Sequence, residues 1–496
     1  MKRKKLLALL LTLVLALGLL PMSAFAAQTP VTPTSTASIT VQNAVENDNL
    51  AAYKVIDITY DAGTNHLSYE WNSDFADFFA GTTEHNTTAY TVEQFAKLQN
   101  NSDPLKNLLA QLPKYIVNKG ITPEKTEIVA ANGTATFANL AMGEYFIRPT
   151  SSTSVYQLML QKIEPTVVDG TYKIDNEKFT AKKSEVTITK TADKTSVTKN
   201  EKVNYTITVD IPTYAANTTD KSFYVSDLLA DGLTLDTASI AVKIDGVAVD
   251  AAAYTLDTTA TTGFKFSVST DQYSAKWSTY GGKQLVITYT ATLNADDTTE
   301  VNTPETNTAT FDYSFYPYVE NSHKQKIASA DVTTFAIKID KYADDSSSTK
   351  LAKAKFDLYR TATQAEIDAG TSVEIPHTTI QGILLESGLV TDNNGSATFE
   401  KYQANGTHYT YYLVETQAPS GYNILDHAVE VHFTDADVST TDGVYTVRIS
   451  NKIGFRLPIT GGTGTVIFTV VGIVLMIGAV VLFVISRKKA KAEENE

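Results

Sequence analysis

Apolar and polar residues alternate in short runs along most of this chain, and that pattern is typical of strands with one buried face. Such runs begin at Ile39, Val186, Val203 and Phe335, and Asp, Asn and Gly turn residues separate many of them. Because short alternating strands with frequent turn signals favour the antiparallel packing of two sheets, we expect tandem immunoglobulin-like β-sandwich domains in an all-β protein.

One segment departs from this alternation. Between Thr91 and Lys119, leucine and phenylalanine recur at near-helical spacing, and Pro104 interrupts the run. Since proline inside a helix removes a hydrogen bond and clashes with the preceding turn, we expect the helical pattern to break at this residue. The segment therefore predicts a helical insertion in the first β-rich domain.

The N-terminus has the pattern of an export signal. Residues 2–5 are all basic, Leu6–Leu20 is an apolar run, and Ala24 and Ala26 place small residues at both positions that signal peptidase recognises. This order predicts a secretory signal peptide over residues 1–26. The alternative is an N-terminal membrane anchor, which the short apolar run and the cleavage site disfavour.

The C-terminus combines three signals in a fixed order. Leu457-Pro458 and Thr460-Gly461 come first, the apolar residues 466–485 are long enough to span a bilayer, and a basic tail follows. This combination resembles the sorting signal of Gram-positive surface proteins. The resemblance implies that a sortase cleaves between Thr460 and Gly461 and joins the threonine to an amine on cell-wall peptide or on another protein. An ordinary protein with a single membrane span is the alternative.

Composition excludes several classes of function. Hydrophobic residues make up 43% of the chain and charged residues 19%, which is a globular composition. The chain has no cysteine and only 7 histidines, so we expect no disulfide, no metal site and no cofactor. The net charge of −14 argues against a nucleic-acid partner, because phosphate contacts need Lys and Arg.

Changes of pattern divide the chain into five segments. We expect a signal peptide at 1–26, an N-terminal β-rich domain at 27–180, a middle sandwich at 181–334, a C-terminal sandwich at 335–453 and a sorting signal at 454–496. The first and third domains share an internal similarity, since Asn132–Phe137 matches Asn394–Phe399. We interpret these two domains as related sandwiches, with chance similarity of turn-and-strand sequences as the alternative.

The third domain contains the most specific motif. Tyr412–Tyr422 resembles the glutamate-containing box of collagen-adhesin B-type domains. In that family a glutamate catalyses an isopeptide bond between a lysine on the first strand and an asparagine on the last. The resemblance implies that Lys338 and Asn451 are bonded and that Glu415 is the catalyst. A buried salt bridge between Lys338 and Glu415 is the alternative.

This chemistry requires a buried lysine, since a protonated amine cannot attack a carbonyl. Burial between two sheets disfavours the charged forms of amines and carboxylic acids, leaving a neutral amine and a protonated acid. The amine then attacks the asparagine carbonyl and ammonia leaves, while proximity in the packed core supplies most of the acceleration. Such a reaction is a single self-modification, so we expect no enzyme of the turnover type.

The second domain carries a variant of this set. Its order of motifs resembles pilin middle domains in which an aspartate does the catalytic work. The resemblance implies a bond between Lys190 and Asn307, with Asp227 as the catalyst and with Asn307 at the beginning of the closing strand. Asn302 is a rival for the acceptor.

The first domain lacks a matching carboxylate. In the repeat alignment Pro149 falls opposite Glu415 of the third domain. We therefore expect no autocatalytic bond in the first domain, and Glu144 is the substitute to examine.

Taken over nearly its whole length, the chain resembles the backbone pilins of sortase-assembled Gram-positive pili. In that family a sortase joins the sorting-signal threonine of one subunit to a lysine near the end of the first domain of the next subunit, usually after Tyr-Pro. That dipeptide is missing from the corresponding region here. Lys183 is the first candidate, with Lys182 and Lys178 behind it.

The resemblance implies a structural shaft subunit that is anchored to the cell wall from a membrane-bound precursor. The implied partners are a sortase, identical subunits in a head-to-tail polymer and cell-wall peptidoglycan, and a host surface ligand is left open. The alternative function is a wall-anchored adhesin or minor pilin that binds a host surface polymer.

Overall fold

The structure is a computed structural model that describes residues 29–98, 102–260, 262–294, 298–404, 409–438, 442–454 and 463–493. Strands dominate these residues and form eight sheets, which confirms the all-β fold class with tandem sandwiches. The expected signal peptide at 1–26 and the pentapeptide at 457–461 lie outside the described residues.

The chain forms two compact units. The first holds the described part of Met1–Thr195 together with Asn200–Thr298 and Glu305–Val332. The second holds Ser196–Lys199, Thr299–Pro304 and the described part of Thr333–Glu496. Strand pairing divides the first unit further into an N-terminal part and a middle part.

The N-terminal part is built on an antiparallel sheet. This sheet orders His66–Trp71, Asn49–Asp61, Gly143–Ser151 and Met159–Ile163, and its second strand also pairs with Lys125–Ile128. Smaller sheets contain the strands Thr29–Pro30, Thr36–Gln42, Ala135–Ala141, Val155–Tyr156, Thr166–Val168, Thr171–Ile174, Glu177–Thr180 and Lys183–Ser184.

The predicted helical insertion is present in this part. Its helices are Ala76–Phe79, Val92–Ala96, Asp103–Leu109 and Leu112–Lys119. The insertion begins before Thr91, and the helical pattern is interrupted as expected, because Val92–Ala96 ends and a separate helix begins at Asp103, one residue before Pro104. Pro104 lies in the first turn of its helix, where a backbone N–H would have no intrahelical partner in any case. Trp71 joins the insertion to the sheet by stacking on Phe79, with 3.6 Å between ring centroids.

The middle part is a sandwich of two five-stranded sheets. One sheet orders Ile188–Ala192, Lys202–Asp210, Gln284–Leu293, Leu233–Ile244 and Val247–Ala248. The other sheet orders Thr255–Asp257, Gly263–Val268, Phe223–Leu228, Glu305–Ser314 and His323–Val332. Short helical segments are Ala251–Ala253, Thr270–Gln272 and Tyr273–Trp277. Asn307 therefore lies on the penultimate strand, because the hairpin partner of its strand closes this part of the chain.

The second unit contains another sandwich. One sheet orders Ser346–Lys350, Phe335–Ala343 and Ser396–Tyr402, and Val444–Asn451 also pairs with Phe335–Ala343. The other sheet orders Val373–Glu374, Gln381–Val390, Lys355–Thr361, Tyr411–Gln417 and Val429–Val431, and the helix Gln364–Asp368 follows Lys355–Thr361 in the chain.

The N-terminal part and the second unit share a pattern of strand pairing. Thr36–Gln42 runs parallel to Glu177–Thr180, as Phe335–Ala343 runs parallel to Val444–Asn451. In each case the earlier strand also pairs antiparallel with the strand at the internal sequence similarity, which is Ala135–Ala141 in the N-terminal part and Ser396–Tyr402 in the second unit. This common pairing supports the interpretation that the two are related sandwiches.

A long helix, Thr463–Glu493, follows the second sandwich in the chain. Within it, Val466–Lys489 has 24 residues, and an 18-residue window of this segment has a mean hydropathy of 3.0 with no residue buried against protein. Its length and composition are sufficient to cross a membrane, and it includes the span predicted at 466–485.

Candidate functional site

A lysine, an aspartate and an asparagine meet in the core of the middle sandwich. Lys190 belongs to one sheet, whereas Asp227 and Asn307 lie on paired strands of the other. The Lys190 ammonium contacts the Asp227 carboxylate, and it donates a hydrogen bond to Asn307 Oδ1 at 2.7 Å. The side chains of Lys190 and Asp227 have no exposed surface. The structure thus brings together the three residues that the sequence predicted for this domain.

The alternation of each strand explains why these polar groups point inward. Asp227 continues the buried row that contains Phe223 and Val225, and Asn307 shares a row with buried Ala309. The rival Asn302 instead lies in a turn with φ of 64°, and its backbone N–H donates to Thr334 O. The structure favours Asn307 as the partner of Lys190.

Burial changes the acid–base properties of this set. It lowers the pKa of Lys190 to about 8, although the adjacent Asp227 carboxylate opposes the shift. It also raises the pKa of Asp227, against the opposing effect of the Lys190 ammonium. Both changes favour the pair in which the amine is neutral and the acid is protonated.

The sequence did not identify Tyr289, which completes this site. Its hydroxyl donates to Asp227 Oδ2 at 2.9 Å and accepts from Asn307 Nδ2 at 2.7 Å and from Lys190 Nζ at 2.9 Å. Tyr289 occupies an inward position of Gln284–Leu293, in a regular alternating strand. That alternation marks the residue as buried but does not indicate which strand faces it.

The corresponding site of the second unit contains Lys341 and not Lys338. Lys341 Nζ lies 3.3 Å from Glu415 Oε1, and both side chains are completely buried. Asn451 Nδ2 donates to the two Glu415 oxygens at 3.0 and 2.8 Å and to Asn423 O at 2.8 Å. Glu415 and Asn451 therefore meet as predicted, but the choice of lysine has to be corrected.

The direction of side chains along the strand explains this correction. Ile337 and Ile339 are buried, and Lys341 continues their inward row. Lys338 is an odd number of positions away, so it lies on the other face, where it is half-buried and acts electrostatically on Asp392. Counting the alternation from Ile337 would have identified Lys341 from the sequence.

Register and burial place Lys341 close to Asn451. Ala343 is directly opposite Asn451 in the parallel pair of strands, so Lys341 is two residues away on the adjacent strand. Burial lowers the pKa of Lys341 to about 8, and the Glu415 carboxylate opposes this shift. Among the described residues, Asn451 Oδ1 is buried and has no hydrogen-bond partner.

Glu144 of the N-terminal part has a different environment. Burial raises its pKa to about 7, and the charged groups that act on it are Lys162 and Glu164. Lys54, on the neighbouring strand, forms an ion pair with Asp57 at 2.9 Å. These contacts do not reproduce the lysine–acid–asparagine arrangement of the other two sites.

The three candidate linking lysines differ in accessibility. Lys183 Nζ is 2.6 Å from Glu185 Oε1, and only 8% of its side chain is exposed. Lys178 is exposed on the strand Glu177–Thr180. Lys182 is exposed and lines a cleft of about 710 Å³ between the N-terminal and middle parts. Other residues lining this cleft are Asp103, Lys106, Gln157, Leu158, Asn217 and Tyr318.

Two family models match the C-terminal part of the chain. A model of the SpaA family, described as a prealbumin-like fold domain, matches residues 335–447, and the LPXTG cell wall anchor motif matches residues 449–491. Together with the apolar helix, the anchor motif identifies a surface protein that is attached to the cell wall from a membrane-bound precursor.

A curated relative matches about a third of the chain. Fimbrial subunit type 1 of Actinomyces viscosus is 29% identical over an alignment of 169 residues, and the match covers 30% of this chain and 31% of the relative. The chain therefore matches about a third of that protein's length.

Solved pilin structures resemble the ectodomain. The T6 backbone pilin of serotype M6 Streptococcus pyogenes has a TM-score of 0.57 and 18% identity, covering 82% of each chain. The full-length major pilin SpaD of Corynebacterium diphtheriae has a TM-score of 0.54 and 16% identity, covering 86% of this chain and 99% of that one. At these identities the similarity shows the fold. The protein is thus a wall-anchored surface protein with a SpaA-type domain and the fold of Gram-positive backbone pilins.

Proposed function

We propose that this protein is the shaft subunit of a covalently polymerised pilus, and that two of its sandwiches each form an internal Lys–Asn isopeptide bond. The observation that carries the proposal is the pair of buried lysine–carboxylate–asparagine sets around Asp227 and Glu415. A buried ion pair is a weak source of stability, because the cost of desolvating both charges can exceed their attraction. Two buried lysine–carboxylate pairs, each beside an asparagine, therefore indicate a role in forming a bond and not only in stabilising the fold.

In the second unit the reaction begins with proton transfer from the Lys341 ammonium to the Glu415 carboxylate. The neutral Nζ then attacks Asn451 Cγ and forms the new C–N bond. Glu415 delivers its proton to Nδ2, with which it already shares hydrogen bonds, and it takes a second proton from the attacking nitrogen. The old C–N bond breaks, ammonia leaves, and Glu415 remains protonated beside the new amide. The Lys190 set performs the same net exchange.

The positions of the two bonds fit a load-bearing role. In the second unit the bond joins the first and last strands, which already lie side by side. In the middle part it joins the first strand to the penultimate one. By analogy with disulfides, closing a loop of about 100 residues restricts the unfolded chain by about 4.7 kcal/mol. A pull along the chain therefore meets a covalent bond in each of these sandwiches.

We propose Lys182 as the lysine that links subunits, because it is exposed in the cleft between the N-terminal and middle parts. Lys183 is largely buried and paired with Glu185, so its amine is less accessible than that of Lys182. An exposed amine in a cleft can be reached by the acyl group of Thr460, which a sortase presents as an acyl-enzyme. Joining Lys182 of one subunit to Thr460 of the next makes a heterologous contact that does not close on itself, so it extends into a fibre.

This proposal names the partners and the kind of activity. A sortase cleaves after Thr460, a second copy of the chain supplies the amine during growth, and cell-wall peptidoglycan supplies it at the base. The protein has a structural role, and its only chemistry is the single formation of each internal bond. The matched models describe a fold domain and an anchor motif, which is consistent with this role.

The test is the size distribution of the protein in cell-wall extracts, detected with an antibody against the ectodomain. Wild-type cells should give a ladder of high-mass species. Lys182→Arg keeps the positive charge but removes an amine that can readily deprotonate, so it should leave wall-attached monomer without the ladder. Lys183→Arg and Lys178→Arg are matched controls that should keep the ladder. A ladder in Lys182→Arg cells would show that another residue forms the link between subunits. A wild-type extract without any ladder would favour the adhesin function.

A further inference from the structure

The two buried sites differ in how the acid reaches the leaving nitrogen. In the second unit both Glu415 oxygens accept hydrogen bonds from Asn451 Nδ2. Within the described residues of the middle part, the Asp227 carboxylate contacts Lys190 and Tyr289 but makes no hydrogen bond to Asn307. Aspartate is one methylene shorter than glutamate, and the Tyr289 hydroxyl occupies the intervening position.

The hydrogen bonds fix the orientation of the asparagine amide. Lys190 Nζ carries only donors, so the Asn307 atom that it contacts at 2.7 Å is the carbonyl oxygen. The amide nitrogen then faces the Tyr289 oxygen at 2.7 Å. The tyrosine donates its proton to Asp227 at 2.9 Å and accepts two hydrogen bonds, so the single donor and both acceptor lone pairs of its hydroxyl are occupied.

The Tyr289 ring is held firmly in this position. It stacks on Tyr205 with ring centroids 5.4 Å apart and meets the edge of Phe264 at 5.2 Å. The ring is therefore a rigid support for one hydroxyl that contacts all three members of the set. A residue that served only to fill the core would not need this arrangement of polar contacts.

Resting on the proposed function, we propose that Tyr289 is a catalytic residue that relays a proton from Asp227 to the leaving nitrogen of Asn307. Asp227 first takes one proton from the Lys190 ammonium, and the neutral amine attacks Asn307 Cγ. Tyr289 then gives its proton to Nδ2 and receives the Asp227 proton. The attacking nitrogen returns a proton to Asp227, ammonia leaves, and the hydroxyl and the acid both end protonated.

The test follows bond formation in the ectodomain, residues 27–460, recovered unfolded with its unmodified mass and then diluted into refolding buffer. Samples are quenched over time, and mass spectrometry of peptides counts the Lys190–Asn307 and Lys341–Asn451 bonds separately. Because positioned acid–base groups contribute about 10²–10⁴-fold, Tyr289→Phe should slow the Lys190–Asn307 bond roughly 100-fold. The Lys341–Asn451 bond of the same molecules should form at the wild-type rate.

A matched control is Tyr273→Phe, which removes a buried hydroxyl that donates to Pro212 O elsewhere in this sandwich and should leave both rates unchanged. The double variant Asp227→Glu with Tyr289→Phe supplies a longer acid in the space that the hydroxyl vacates, and it should recover most of the lost rate. This recovery distinguishes a proton relay from a packing role, and it carries the test if the single variant does not fold.

A folded Tyr289→Phe chain that forms the Lys190–Asn307 bond at the wild-type rate would overturn the relay while leaving the proposed function intact. Failure of the double variant to recover the rate would also overturn it. If the wild-type chain itself never forms this bond, the proposed self-cross-linking of the middle part fails as well.

Discussion

Lys341 Nζ lies 3.3 Å from Glu415 Oε1, and neither side chain has any exposed surface. Lys338 is on the same strand and faces the other way. We therefore expect Lys341→Met to abolish the bond to Asn451, because methionine keeps the buried stem but has no amine. Lys338→Met should leave that bond in place.

These two variants have the same composition, so intact-mass spectrometry compares them directly. The Lys341→Met ectodomain should be heavier than the Lys338→Met ectodomain by one ammonia. Equal masses, or a heavier Lys338→Met protein, would show that Lys341 is not the bonded lysine.

Removing Glu415, the proposed catalyst of the second unit, should weaken that sandwich without changing its shape. Glu415→Gln keeps the size of the side chain but removes the carboxylate, so the loop from Lys341 to Asn451 stays open. We expect the free energy of unfolding of this unit to fall by about 5 kcal/mol, the value for a cross-link that closes a loop of about 100 residues. Hydrogen exchange of the strand Tyr411–Gln417 measures the loss.

The control for this measurement is Glu386→Gln. Glu386 forms a partly exposed ion pair with Lys199 at 3.0 Å in the same unit. Such pairs contribute about 0–1 kcal/mol, so the effect should be small. Equal losses in Glu415→Gln and Glu386→Gln would argue against a cross-link.

His323 should make the middle sandwich sensitive to alkaline pH. Its ring contacts Asp312 on the adjacent strand and lies 3.0 Å from Asp220 Oδ2. These hydrogen bonds raise the pKa of His323 from 6.5 to about 9. Burial acts to raise the pKa of both carboxyls, but the hydrogen bonds with His323 and with neighbouring side chains outweigh it and lower both pKa values. The stabilisation that protonated His323 gives to the folded state is therefore complete below about pH 6.5 and is lost as the pH rises through about 9. The stabilisation from the Asp220 and Asp312 carboxylates is lost as the pH falls below 3.8, the ordinary pKa of an aspartate.

We expect His323→Gln to lower the free energy of unfolding by about 1–2 kcal/mol at pH 6, since one pKa unit corresponds to about 1.36 kcal/mol and solvent screens the charge of this partly exposed ring. At pH 10 the variant and the wild type should differ little. A Trp71→Phe background leaves Trp277, buried in this sandwich, as the fluorescence reporter of urea unfolding. His427→Gln is the control, because His427 is exposed. A His323→Gln effect that is as large at pH 10 as at pH 6 would contradict this account.

Short sequence motifs were sufficient to predict three of the site residues. The order of motifs in the second domain identified Asp227 and Asn307, and the motif around Glu415 identified an acid; the structure places all three in cores. Lys338 was wrong because a motif match located the strand without the face of each side chain. The pattern in Ile337 and Ile339 contained the missing information.

Contacts between distant strands could not be predicted in the same way. Tyr289 is 62 residues from Asp227 along the chain, and its contact depends on how two sheets stack. The accessibility of Lys182 relative to Lys183 likewise depends on the cleft and on the ion pair with Glu185.

The intact mass of the folded wild-type ectodomain, residues 27–460, shows whether both internal bonds form. We predict a mass below the value calculated from the sequence by two ammonia molecules, with branched peptides that join Lys190 to Asn307 and Lys341 to Asn451. The double variant Asp227→Ala with Glu415→Ala should have its full calculated mass. A folded wild-type ectodomain with its full calculated mass would contradict the account.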